Sequence, residues 1–184
     1  MIKLKDLIME NSTDTYDYSC AMLYFNFPEI NKIHSMIDPA DVYTESGDLS
    51  YGLEDEPHTT LLYGLHPEVT LDNVKEVLNK FTYSTCNIHN PSLFKNEMYD
   101  VLKFDVKGKN LHETNNLLKK YPYTSNFPNY HPHLTIAYIK PGFGQRYVDI
   151  LNKQIPTNGY QLVPTYAVYS MADGNKHKIK INIK

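Results

Sequence analysis

Two short segments constrain this chain more than anything else in it: HTTLLYG at 58–64 and HLTIAYI at 133–139. Each opens on histidine, carries threonine two places on, continues apolar, and follows a proline, Pro57 or Pro132. Proline pushes the residue before it out of the helical region, so each segment starts as extended chain. On a strand, positions i and i+2 face one side, which projects His58 with Thr60 and His133 with Thr135. Leu61-Leu62 and Ile136-Ala137 then anchor each strand in a core. The triplet His112-Glu113-Thr114 has the same spacing but lies in a helical run, where i and i+2 point about 200° apart. Its side chains cannot converge, and it reads as helix surface.

The remaining pattern places these strands in two similar halves. YSCAMLYFNF (18–27) reads as a buried strand, and Ile30, Ile33 and Ile37 recur at helical spacing until Asp38-Pro39. Residues 38–56 show no lasting periodicity and are acidic, which suggests a lid, a binding loop or a surface excursion. After the first His-x-Thr strand, Thr70 caps a helix with Leu71, Val74, Val77, Leu78 and Phe81 on one face. Two short strands are expected near 84–89 and 92–95. The second half begins with YDVLKFDVKG, a strand closed by Gly108, and continues with NLHETNNLLKK as a helix packing through Leu111, Leu117 and Leu118. The strand HLTIAYI follows, then the breaker KPGFG and a helix carrying Tyr147, Ile150 and Leu151. TYAVYSM and KIKINIK close the chain as strands joined by the turn ADGN. Ile179, Ile181 and Ile183 alternate with polar residues, a half-buried pattern.

At 184 residues, the length suits one domain over 1–184, with a short helical extension over 1–17 packing through Leu4, Leu7 and Ile8. The start lacks the apolar core of a signal peptide, and no segment approaches the ~20 apolar residues of a membrane span. A cytoplasmic protein with no membrane partner is expected. Cys20 and Cys86, the only cysteines, read as buried thiols of a reducing compartment. The formal net charge of −3 offers no basic field, so long duplex nucleic acid is a poor partner. A small anionic ligand held by a few residues remains open.

Zinc would need three or four convergent ligands, and neither strand offers Cys, Asp or Glu at ligand spacing. Two imidazoles suit phosphodiester cleavage without metal or cofactor. One can take a proton from an attacking hydroxyl while the other protonates the leaving oxygen, since histidine changes charge near neutral pH. The Thr60 and Thr135 hydroxyls can donate to non-bridging phosphate oxygens.

Paired HTTLLYG and HLTIAYI strands in an α+β duplication resemble the 2H phosphoesterases, a superfamily defined by two His-x-Thr/Ser motifs. The resemblance runs from about residue 18 to the end. It implies an α+β, bilobal, duplicated fold with two antiparallel sheets around a central cleft, and catalytic roles for His58, Thr60, His133 and Thr135. Within the superfamily, SYGLEDEPHTTLLYGLH and the Lys/Asn/Tyr-rich composition are similar to the anti-CBASS nucleases of tailed phages. That implies cleavage of cyclic di- and trinucleotide signals in a bacterial host cytoplasm. An RNA 2′,3′-cyclic phosphodiesterase and a non-catalytic nucleotide sponge are the alternatives. With no Trp and 16 Tyr, a base would stack on tyrosine, and Tyr24 on the first strand is the candidate. Tyr63 and Tyr138 lie an odd number of residues past the histidines and are expected to face away from the cleft.

Overall fold

A computed structural model describes residues 17–48, 50–127 and 129–184; all but the last residue of the expected 1–17 extension lies outside them. Eight strands form one antiparallel sheet: β1 (Ser19–Phe25), β2 (His58–Leu65), β4 (Cys86–Lys95), β5 (Asp100–Lys107), β6 (His133–Ile139), β7 (Tyr160–Leu162), β8 (Pro164–Ser170) and β9 (Lys176–Ile179). Their order is β7-β4-β5-β6-β2-β1-β8-β9, and β3 (Thr82–Tyr83) pairs separately with β10 (Asn182–Ile183). The helices are α1 (Ile30–His34), α2 (Leu71–Asn79), α3 (Leu111–Leu118) and α4 (Gly144–Gln154).

Strand alternation makes the sheet two-faced. Ala21, Leu23, Phe25, Leu102, Phe104, Leu134 and Ile136 join helix residues Ile33, Val74, Val77, Leu78, Leu111, Leu118 and Leu151 in the main core. Cys20, Met22, Tyr24 and Val168 alternate with these and form a small separate cluster on the other face. His58 and Thr60 project from that second face, opposite Tyr24 and Met22. As expected, Thr70 caps α2, in a capping box with Asn73. In α4 the buried residues are Gly144, Tyr147, Val148 and Leu151, a stripe at helical spacing that leaves Ile150 exposed, against expectation.

Three expectations are corrected. The two strands sought near 84–89 and 92–95 are one ten-residue strand, β4, bulged where Asn90 takes a φ of 53° ahead of Pro91. A bulge lets the chain absorb a proline that cannot donate to the ladder. Ile183 pairs with β3 and is exposed, so the closing alternation does not run on as one half-buried strand. The two-sheet expectation gives way to one sheet, whose halves meet at a single β2–β6 pair, Thr59 with Leu134.

Beyond that pair β2 and β6 part company, and their backbone groups need other partners. On the β6 side, the 38–56 segment supplies them. Glu54 N–H donates to Ile136 O at 2.8 Å, Tyr138 N–H to Gly52 O at 2.8 Å, and Tyr43 N–H to Tyr138 O at 2.9 Å. On the β2 side, the segment before β6 does the same: Thr124 N–H donates to Gly64 O at 2.9 Å and His66 N–H to Pro122 O at 3.0 Å. Each His-x-Thr strand is therefore completed by the loop that precedes the other one. Through Tyr43, Gly52 and Glu54 the 38–56 segment is tied along β6.

Two side chains finish the accounting. Asn115, buried on α3, donates to Leu61 O at 2.6 Å, and the Tyr130 hydroxyl donates to Thr60 O at 3.0 Å. Gly64 holds a φ of +96°, and a Cβ there would overlap the Thr124 carbonyl oxygen. Only glycine suits that close approach.

Candidate active site

The β2–β6 waist brings the two motifs together at the middle of the sheet. In the β1–β2 ladder His58 is opposite Tyr24 and Thr60 opposite Met22, so both project onto the face of the small cluster. In the β5–β6 ladder His133 is opposite Asp105 and Thr135 opposite Lys103. Thr59 and Leu134, the intervening residues, are fully buried. His112, in contrast, is exposed on α3 with its ring against Tyr130.

Both ladders slip just after the threonine. Ala21 pairs with Leu62 but Met22 with Thr60, which leaves Leu61 as an extra residue. Leu102 pairs with Ala137 but Lys103 with Thr135, which leaves Ile136 in the same position. These bulges let two consecutive residues, Leu61-Leu62 and Ile136-Ala137, enter the core. They also invert the facing of everything after them. Tyr63 and Tyr138 consequently stand on the open face, against the expectation from regular alternation. Tyr63 pairs with Cys20 and is exposed, while Tyr138 packs under the Tyr51 and Tyr99 rings.

The two histidines are held identically. His58 Nδ1 lies 2.8 Å from Glu56 O, and His133 Nδ1 lies 2.8 Å from His131 O. A carbonyl only accepts, so each Nδ1 carries the hydrogen and each Nε2 is left as the atom that takes or gives a proton. Burial pushes the His58 pKa below the ordinary imidazole value, with Lys176 lowering it further. Burial also lowers that of His133, helped by Lys103 and by His58, while Asp105 opposes. A positive His58 thus disfavours a positive charge on His133. One base and one acid is the state that proton-shuttling across a phosphate requires.

Around them the face is well supported. Tyr24 stacks on His58 (5.2 Å between centroids) and on Tyr166 (5.1 Å), and is only 3% exposed. His58 and Tyr166 both stack on its ring, so Tyr24 braces His58. Phe94 meets the His133 ring edge to face at 4.9 Å. Thr60 is within hydrogen-bonding reach of the Cys20 thiol, whose pKa burial pushes up to about 12. Both cysteines are free and buried. Cavities of about 350 Å³ flank the pair, one by Pro57 with Asp55, Glu56 and Tyr166, the other by Pro132 with His89, Lys103 and Asp105.

Sequence reasoning missed Lys103, Asp105, Asn115 and Tyr130. Asn115 had a readable signal, being a polar residue in phase with Leu111 and Leu118 on the buried face of α3. Lys103 and Asp105 had none, because their nearness to the motif comes from cross-strand register. Among the described residues, no group of three or more His, Cys, Asp or Glu is placed to hold a metal ion. No helix among them is long and apolar enough to cross a membrane.

The α+β fold, with the two His-x-Thr strands meeting at the centre of an antiparallel sheet, is one that solved proteins share. The solved structure of Kluyveromyces marxianus Usb1 matches it with a TM-score of 0.59 over 90% of this chain and 99% of that one, at 9% identity. The same protein with uridine monophosphate gives 0.56 over 90% and 98%, at 8% identity. Escherichia coli LigT complexed with 3′-AMP gives 0.47 over 90% and 96%, at 15% identity, a distance at which it says nothing more about this chain. No family model matches the sequence, and no curated protein matches it either.

Proposed function

We propose that this protein is a metal-independent phosphodiesterase that cleaves cyclic di- and trinucleotide messengers. The observation that carries the reading is the pair of histidines on one open face, each with Nδ1–H spent on a backbone carbonyl and Nε2 left for proton transfer. The fold shared with a protein solved with uridine monophosphate supports a nucleotide in the cleft. In a 3′–5′ linkage, one Nε2 takes the proton of the adjacent 2′-hydroxyl as its oxygen attacks phosphorus. The 5′-oxygen leaves with the proton of the other Nε2, and Thr60 and Thr135 donate to the non-bridging oxygens. The product is a linear nucleotide ending in a 2′,3′-cyclic phosphate, or in a 3′-phosphate once water repeats the step. In a phage such an activity would silence a host's CBASS alarm, and its place of action would be the bacterial cytoplasm.

The test is incubation of the purified protein with a 3′,5′-linked cyclic dinucleotide and, separately, with RNA ending in a 2′,3′-cyclic phosphate. Chromatographic loss of the cyclic dinucleotide supports the reading. Consumption of the RNA end alone moves the substrate to RNA, and recovery of the cyclic dinucleotide intact after denaturation makes the protein a sponge. The analogue with both 2′-hydroxyls replaced by hydrogen should bind and stay uncut; its cleavage at a comparable rate would overturn the mechanism.

A further inference from the structure

Lys103 is a charged side chain buried at the edge of the site, with its side chain only 8% exposed. Burying an ammonium costs several kcal/mol unless its donors are matched. One hydrogen goes to Asp105 Oδ1, and the Phe94 ring centroid lies 4.7 Å from Nζ. An ammonium has three hydrogens, so donor capacity remains. The carboxylate has little left to give, because Asn90 Nδ2 occupies Asp105 Oδ2. Although burial opposes it, these two hydrogen bonds hold the Asp105 carboxyl below its usual range, so it stays an acceptor and its charge is already matched.

The cavity these residues line is about 350 Å³ and is completed by His89, His131 and Pro132. Besides Asp105, its polar groups are the Lys103 ammonium and the imidazoles of His89 and His131. It adjoins the reaction centre through Phe94, which touches His133 on one side and Lys103 on the other. The cavity on the His58 side is of opposite character, with Asp55 and Glu56 and no Lys, Arg or His. Lysines stand near both histidines, since Lys176 lowers the His58 pKa and Lys178 Nζ lies 3.7 Å from the Tyr166 ring centroid, but only Lys103 lines a cavity directly.

Resting on the reading of the cleft as a nucleotide phosphodiester site, we propose that the cavity beside His133 binds a second phosphate of the substrate, with Lys103 as its charged donor. The phosphate being cut sits between the histidines, and the neighbouring one, a ribose away, lies against Lys103, His89 and His131. The site then selects molecules with at least two phosphodiester groups over nucleoside 2′,3′-cyclic monophosphates.

Calorimetric titration tests this without turnover. Adenosine 3′,5′-bisphosphate carries two phosphates on one ribose, the spacing of adjacent linkages, and adenosine 3′-monophosphate carries one. The wild-type protein should bind the bisphosphate about 10–100-fold more tightly, the range for hydrogen bonds to a charged group. Lys103→Met should erase that preference while leaving monophosphate affinity within about twofold. A wild-type protein without the preference, or a Lys103→Met protein that loses both ligands equally, overturns the proposal. Should Lys103→Met fail to fold, the His89→Ala/His131→Ala double variant decides: a reduced preference supports the subsite and an unchanged one overturns it. A protein that prefers the bisphosphate yet cleaves nothing keeps the subsite and loses the catalytic reading.

Discussion

His58 and His133 stand in the same relation to their own strands: in each, Nδ1 is 2.8 Å from the carbonyl two residues earlier. The backbone just ahead of each strand thus sets the tautomer of the side chain that begins it. Two remote segments present equivalent Nε2 atoms across the sheet's waist, and five predictions follow from that arrangement and its supports.

Replacing either histidine with Ala should lower kcat for the cleaved phosphodiester by about 10²–10⁴-fold, the usual worth of a general acid or base. His112→Ala should leave turnover unchanged, since that ring sits on α3. Near-wild-type rates in either single variant at His58 or His133 would refute the assignment.

The pH dependence has a defined sign. Both imidazole pKa values lie below the ordinary 6.5 in the folded chain. Between those values and 6.5 the unfolded chain binds more protons than the native one. Stability from these groups is therefore full above pH 6.5 and is lost as pH falls through the folded values. Melting temperatures taken from about pH 8 down to about pH 5 should fall on the acid side, and less steeply in His58→Gln. The kcat/KM profile should be bell-shaped, its optimum at or below 6.5. An optimum well to the alkaline side would contradict the buried, carbonyl-tied imidazoles.

Activity should persist in excess chelator. The groups assigned to proton transfer and phosphate binding are imidazoles and hydroxyls, which need no Lewis acid beside them. Abolition by chelator with rescue by zinc or manganese would put a metal into the mechanism.

Asn115→Leu should destabilise the fold by about 1–3 kcal/mol, because the Leu61 carbonyl it serves is buried and β6 has already diverged. Denaturant titration measures the loss. Tyr130→Phe removes the matching bond to Thr60 O, and its effect should be smaller because that site is only partly buried. Equal stability of the Asn115 variant and wild type would mean that the parted strands find their partners elsewhere.

Gly64→Ala should cost at least about 1–3 kcal/mol, since it combines a positive φ with overlap on the Thr124 backbone. Gly47→Ala is the control, with a φ of +82° but nothing near its added carbon. If both variants lose the same stability, only the backbone angle matters and the 122–124 segment does not press on β2.

Local pattern in the chain was enough to place the candidate quartet on one face, because alternation on a strand is a property of adjacent residues. His58 with Thr60 and His133 with Thr135 needed only an extended backbone, and the prolines and apolar runs around them supplied it. The same short-range logic located β1, α1, α2, α3 and β8 and set His112, on a helix, apart from the two strand motifs. It failed where the physics is not local. Leu61 and Ile136 are bulged because β1 and β5 meet them out of step, and that slip alone turned Tyr63 and Tyr138 onto the open face. Lys103 and Asp105 came to His133 through the β5–β6 register, and the two loops exchanged partners because β2 and β6 share one pair and then separate. Registers and exposed strand edges are settled between segments far apart in sequence, when every buried N–H and C=O must find a partner at once.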